Sequence, residues 1–206
     1  IEDPIEMIYE HFNQVAVNPK IDLTFAAALR TILRQDPDII MVGEIRDSET
    51  AQNAIQAALT GHLVLASLHT NDSVSTVDRL VDLGIDPFLI ATTLVGVIAQ
   101  RLIRKICPHC KKERFIDKEE VGLLGLKLPP EKPSLKTFKG EGCPICRQTG
   151  FLGRTAIYEV FDISTKIKHL IIERNFQEIG KVAKMDGMKT LKENAVKKLA
   201  LGTTSY

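Results

Sequence analysis

The stretch DPDIIMVGEIRD, residues 36 to 47, runs four apolar residues, Ile39 to Val42, into Gly43, Glu44, Arg46 and Asp47. In open parallel α/β sheets, ligands bind beyond the carboxyl ends of the strands. An acid at such a place in a nucleotide-hydrolysing domain holds Mg²⁺ through water or orients the attacking water, and arginines there neutralise phosphoryl charge. Taken alone the pattern is weak, because any strand can end in a charged residue. Two further stretches add to it. IEDPIE, residues 1 to 6, places Glu2 and Asp3 after an apolar residue, with Pro4 restricting the backbone just beyond. TGHLVLASLHTND, residues 60 to 72, brackets a second apolar run with His62 and His69. Histidines at opposite ends of one strand cannot share a site directly. His69, followed by Thr70, Asn71 and Asp72, is the one placed to meet a phosphate.

The four cysteines form a second constellation. They occur only as Cys107-Pro-His-Cys110 and Cys143-Pro-Ile-Cys146. Two thiolates on each of two tight turns complete a tetrahedral set, the usual form of structural Zn²⁺. Disulfides, free core thiols and a dithiol redox switch are the alternatives. The last of these needs a lowered thiol pKa, which spacing does not reveal. His109, inside the first knuckle, reads as a bystander.

These residues need an α/β frame. Thr24 to Gln35 has apolar residues on one helix face with Thr24 as N-cap, and Pro37 closes it. Ile39–Val42 and the run within HLVLASLH read as strands buried on both faces. SETAQNAIQAALTG between them reads as a helix stopped by Gly61. VSTVDRLVDLG gives another helix, and Pro87 opens one reaching to about Arg104. After Gly153 the pattern reads as helical to the end, in STKIKHLIIE, FQEIGKVAKMDG and MKTLKENAVKKLALG. Between the cysteine pairs, LPPEKP excludes a buried strand or a long helix. The expected division is therefore 1–106 as the later part of an α/β domain, 107–153 as a tetracysteine element and 154–206 as a small helical domain.

Composition bounds the function. The chain has 206 residues, 44% hydrophobic and 26% charged, enough for a real core, and a net charge of +1 with no block of like charges. Nucleic acid is not expected as a partner. No run of about 18 apolar residues is present to span a bilayer. Residues 164–200 hold nine Lys or Arg against four Asp or Glu, read as a solvated surface, with anionic headgroups as the competing reading. The chain starts at Ile1 rather than methionine, which reads as part of a longer protein.

In the order IEDPIE, LRTILRQDPDIIMVGEIRD, TGHLVLASLHTND, AQRLIRKICPHC and CPICRQTGFLGR, the chain resembles the secretion ATPases of the type II secretion and type IV pilus assembly class. The resemblance implies an incomplete RecA-like P-loop NTPase domain, with IEDPIE as aspartate box, DIIMVGEIRD as Walker B segment and TGHLVLASLHT as histidine box. It implies that Glu2 activates the hydrolytic water, that Glu44 serves Mg²⁺ and that water, and that His62 and His69 couple the γ-phosphate state to movement. Asp3, Arg46 and Thr70 are then candidates for nucleotide contact, and Cys107, Cys110, Cys143 and Cys146 for Zn²⁺. Arg101 matches a family position without an assigned role. The resemblance further implies ATP as substrate and a cytoplasmic hexameric ring, peripheral at the inner membrane and docked on secretion or pilus platform proteins. The family's G-x-x-x-x-G-K-[ST] phosphate loop has no match here and would precede Ile1. The chain alone is therefore expected to be inactive, with an unpaired sheet edge where the missing strand belongs. Its tetracysteine element argues against a retraction motor, and LVGVIAQRLIRKIC resembles the secretion branch more than the pilus branch. A zinc-stabilised interaction module with a vestigial α/β part is the alternative of another class.

Overall fold

The computed structural model describes residues 1–126, 129, 131 and 134–205. Most of LPPEKP lies outside the described residues. In chain order the elements are α1 (Phe25–Ile32), β1 (Ile39–Val42), α2 (Ser48–Leu59), β2 (Leu63–Ala66), α3 (Ser75–Asp82), α4 (Pro87–Thr93), β3 (Gly96–Ile106), β4 (Lys111–Asp117), α5 (Lys118–Leu123), β5 (Ser134–Gly140), β6 (Phe151–Asp162), α6 (Thr165–Ile172), α7 (Phe176–Met185) and α8 (Leu191–Ala200). Two compact units result: Ile1–Val97 with Phe161–Met188, and Ile98–Val160 with Lys189–Tyr206.

Local chemistry sets the first unit. Thr24 Oγ1 accepts from the Ala27 N–H at 3.1 Å and starts α1. Asp47 accepts from the Thr50 N–H at 2.7 Å and from the Thr50 hydroxyl at 3.0 Å, starting α2 directly after the connection that carries Glu44. The buried face of α2 consists of Thr50, Ala51, Ala54 and Ala57, side chains small enough for close packing. Gly61, with φ at +99°, turns the chain from α2 into β2, a conformation that side chains other than glycine rarely adopt. β1 and β2 pair in parallel, with Ile39 opposite Leu63 and Val42 opposite Ala66. The core joins Leu29, Val42, Val77 and Ile90 to Phe161, Ile167, Ile171 and Ile179.

Three expectations are corrected. The strand pair is not buried on both faces: Ile40 and Val42 point into the core, whereas Ile39, Met41, Leu63 and Leu65 are each more than half exposed on the other face. The helix opened by Pro87 ends at Thr93, and residues 96–106 form β3, paired with β6. Val97, Ile98 and Ile103 are β-branched and suit a strand, and Gly96 disfavours helix. Finally, residues 154–206 do not form one helical body. Their first residues belong to β6, α6 and α7 pack in the first unit, and α8 lies in the second.

The second unit holds the β4–β5 hairpin, antiparallel from Lys111 opposite Gly140 to Asp117 opposite Ser134. Ile116 and Thr137 are buried on its inner face. Asp117 caps α5 through the Glu120 N–H at 2.9 Å. Thr190 and Glu193 form a reciprocal capping box at α8. A Cβ on Gly140 would lie 2.0 Å from the Gly150 carbonyl oxygen, so only glycine permits this backbone crossing beside the cysteines.

Phe161 is fully buried among the helices of the first unit. Phe161→Ala is expected to lower the unfolding free energy by about 3–5 kcal/mol, read by urea denaturation. A loss below about 1 kcal/mol would contradict its place in the core.

Candidate active site and metal centre

The carboxyl edge of the strand pair gathers the acids. Beyond Val42, the Gly43 N–H donates to the Ile1 carbonyl at 2.8 Å, and the Ile45 N–H donates to Ser67 at 2.9 Å. A Cβ on Gly43 would meet the Ile1 oxygen at 3.0 Å and the Glu2 Cα at 3.5 Å. The backbone of residues 1 and 2 therefore runs against β1 and occupies part of the edge expected to be unpaired. Glu2 is bridged on its other side by its N–H to Val15 at 3.0 Å and by the Val17 N–H to its own carbonyl at 2.9 Å. Glu2, Glu44 and His69 thus lie at one end of the sheet.

Glu44 is 8% exposed. Its Oε1 pairs with the Arg46 guanidinium, and its Oε2 accepts from His69 Nε2 at 3.1 Å. The hydrogen bond from Arg46 holds the Glu44 carboxyl below the usual range; burial opposes the shift, and His69 adds to it. Each oxygen retains lone-pair capacity, so the carboxylate can still accept from a metal-bound water.

The other candidate residues separate by role. Glu2 Oε1 accepts from the Gln14 side-chain amide at 2.8 Å. Asp3 is exposed. Thr70 Oγ1 donates to the Asp72 carbonyl at 3.0 Å and meets Thr76 Oγ1 at 3.1 Å, fastening the turn into α3. His62 opens β2 at the opposite end from Glu44. Its Nδ1 lies 2.9 Å from the Ala57 carbonyl and 3.1 Å from Thr60 Oγ1, against the last turn of α2. Four strand residues separate it from the acid edge, about 13 Å of extended chain. Arg101 lies in β3, with Nη1 donating to the Gln100 carbonyl at 3.0 Å. Sequence reasoning missed Gln14, because a single amide carries no spacing signal and its partner is twelve residues away.

In the second unit, the sulfurs of Cys107, Cys110, Cys143 and Cys146 all lie within 4.8 Å of one another. Cys107 and Cys143 are 3.8 Å apart, Cys110 and Cys146 3.9 Å, and Cys143 and Cys146 3.6 Å. Zn–S bonds of about 2.3 Å in a tetrahedron put sulfurs about 3.8 Å apart, so the donor set fits that ion. None of the four is in a disulfide. Burial pushes the Cys110 thiol up to about 11. Burial also opposes ionisation of Cys146, but N–H groups of Cys143 and Gly150, at 3.2 and 3.3 Å from its sulfur, more than offset it and bring that thiol down to about 6. The pocket thus already stabilises one thiolate, as a metal ligand requires.

Because the folded pKa of Glu44 is depressed, its contribution to stability is present above the unfolded value and is lost as pH falls through the folded one. Arg46→Ala should raise the carboxyl pKa toward the ordinary glutamate value, read by NMR titration of Glu44; an unchanged midpoint would remove Arg46 as the cause. For the cysteines, elemental analysis is expected to find stoichiometric zinc, lost in a Cys110→Ser, Cys146→Ser double variant. Chelation should lower the melting temperature of the parent and leave that of the double variant unmoved. Zinc retained by the double variant would exclude the tetrahedral thiolate set.

Comparison with known proteins shows the family. The family described as "Type II/IV secretion system protein" matches residues 1–206. The chain is 48% identical over 206 residues to the type II secretion system protein HxcR of Pseudomonas aeruginosa, covering all of this chain and 40% of that protein. It is 50% identical over 206 residues to the type IV pilus assembly ATPase PilB of Thermus thermophilus, covering all of this chain and 23% of that protein. The chain therefore spans well under half the length of these curated relatives. The crystal structure of the pilus retraction motor PilT with bound ADP is similar in fold, with a TM-score of 0.69 and 30% identity over 99% of this chain and 48% of that one. With one family spanning every residue of an α/β chain whose acids converge at one sheet edge, the chain belongs to the type II/IV secretion system protein family.

Proposed function

We propose that the complete protein is an ATPase that couples hydrolysis to pseudopilus assembly in type II secretion, working as a hexameric ring on the cytoplasmic side of the inner membrane against platform proteins. The observation that carries this reading is the convergence of Glu2 and the Arg46–Glu44–His69 cluster at the carboxyl end of a parallel strand pair, in a chain whose relatives include pilus assembly ATPases. Assembly of a type IV pilus is the alternative, and the 50% identity to a pilus assembly ATPase supports it equally.

The roles follow from the side chains. Glu44 is ionised and fixed, suited to hold the water shell of Mg²⁺, which supplies charge neutralisation at the phosphates when bound. Glu2 presents a carboxylate oxygen to accept the proton of the attacking water. Arg46, 67% exposed at its side chain, can leave Glu44 for a phosphoryl oxygen. His69 then remains on Glu44 and keeps the carboxylate oriented. No glycine-rich phosphate loop occurs in the 206 residues. The backbone N–H groups that hold a nucleotide are therefore supplied by the rest of the protein, and this chain alone does not turn over ATP.

In the full-length protein, Glu2→Gln and Glu44→Gln should each lower kcat by about 10²–10⁴-fold, read as phosphate release. The 206-residue chain, titrated with Mg²⁺ and a non-hydrolysable ATP analogue, should give no binding heat. Turnover by this chain at the full-length rate, abolished by Glu44→Gln, would overturn the division of labour.

A further inference from the structure

Gln14 lies in the segment that leads from the Glu2 region towards α1, and three of the four hydrogen-bonding positions of its side-chain amide, including both donors, are in use. One Nε2 hydrogen goes to Glu2 Oε1 at 2.8 Å and the other to the Met7 carbonyl at 2.9 Å, while Oε1 accepts the Tyr9 N–H at 2.9 Å. The amide plane therefore bridges a carboxylate and the loop of residues 7–9. Glu2 Oε2 has no protein partner among the described residues. The backbone is fixed beside this contact, since Glu2 is bonded to Val15 and Val17, one and three residues after Gln14.

From this arrangement we propose that Gln14 is the positioning residue for Glu2: it holds Oε1, turns Oε2 toward the acid edge as the acceptor for the attacking water, and ties that orientation to the Met7–Tyr9 loop. The proposal rests on the reading of Glu2 as water-activating base. An amide suits the task because it donates without cancelling the charge. A lysine or arginine in the same place would form an ion pair and weaken the carboxylate as a base. The loop it fastens is otherwise weakly anchored: Met7, Ile8 and Phe12 are exposed by 61%, 86% and 67%, and Tyr9 and Phe12 pack on each other with ring centroids 5.6 Å apart. Displacement of that loop would release Oε1 and let the carboxylate rotate.

The test uses the full-length protein. Gln14→Ala should lower kcat about tenfold, which corresponds to about 1.4 kcal/mol, with KM for ATP unchanged. Gln14→Glu supplies the signature that a structural role would not produce. At neutral pH two carboxylates face each other and activity falls. As pH drops and the pair shares one proton, the new carboxyl donates to Glu2 as the amide did, so the activity ratio of variant to parent should rise. Hydrogen exchange at Tyr9 separates the two bonds of the bridge: its protection should be lost in Gln14→Ala and kept in Gln14→Glu, whose oxygen still accepts. A flat activity ratio across pH, an unchanged kcat in Gln14→Ala, or kcat, KM and melting temperature all falling together would each overturn the proposal. Glu2→Gln is the control. If it turns over ATP normally, the water-activating role of Glu2 fails; if it is inactive while both Gln14 variants behave as the parent, only the role of Gln14 fails.

Discussion

The arrangement depends on the parallel pairing of β1 with β2 and on what can follow it. With Val42 opposite Ala66, the next residue must pass under the Ile1 carbonyl, and Gly43 does so with no room for a side chain without movement of that backbone. This close approach brings residues 1 and 2 against β1. It also ends the regular ladder and turns Glu44 toward His69, which leaves β2 at the same edge. A register slip of one residue would reverse the faces of Ile40 and Val42 and carry Glu44 away from its partners.

Two acids at one edge are held in different ways. Glu44 is buried and satisfied by a guanidinium and an imidazole, so its negative charge is compensated within the chain. Glu2 is held by a neutral amide, and no Lys, Arg or His pairs with its carboxylate among the described residues. The division suits the roles proposed for them, Glu44 ionised beside a cation and Glu2 accepting a proton. The thiolate centre follows the same logic, with backbone N–H groups stabilising one sulfur anion inside a buried set.

Much of the first unit was legible because its elements are bounded by strong signals. Thr24 and Asp47 start helices, Gly61 and Gly84 stop them, and both short strands are unbroken apolar runs. The pairing of the two C-x-x-C knuckles was legible for the same reason: its spacing has few other uses. β3 was misread because LVGVIAQRLIRKIC fits a helical face about as well as a strand, and only pairing with β6 decides between them. β6 was hidden by Glu159, a carboxylate buried on the side where an apolar residue would announce the alternation; it accepts from the Leu191 N–H at the start of α8. The exposure of Ile39, Met41, Leu63 and Leu65 was also unreadable, since a run of apolar residues does not say which of its faces is covered.

The two histidines that flank β2 carry their bonded hydrogens on opposite ring nitrogens. A carbonyl oxygen only accepts, so His62 bears its hydrogen on Nδ1, facing Ala57; a carboxylate likewise only accepts, so His69 bears its hydrogen on Nε2, facing Glu44. When neutral, each ring presents a bare lone pair from its remaining nitrogen. A phosphoryl oxygen also has only lone pairs to offer, so neither imidazole can bind one through that nitrogen until it takes up a second proton. Either ring can hold an anion through that nitrogen only in its doubly protonated form, so an anion at one end of β2 would face an imidazolium there.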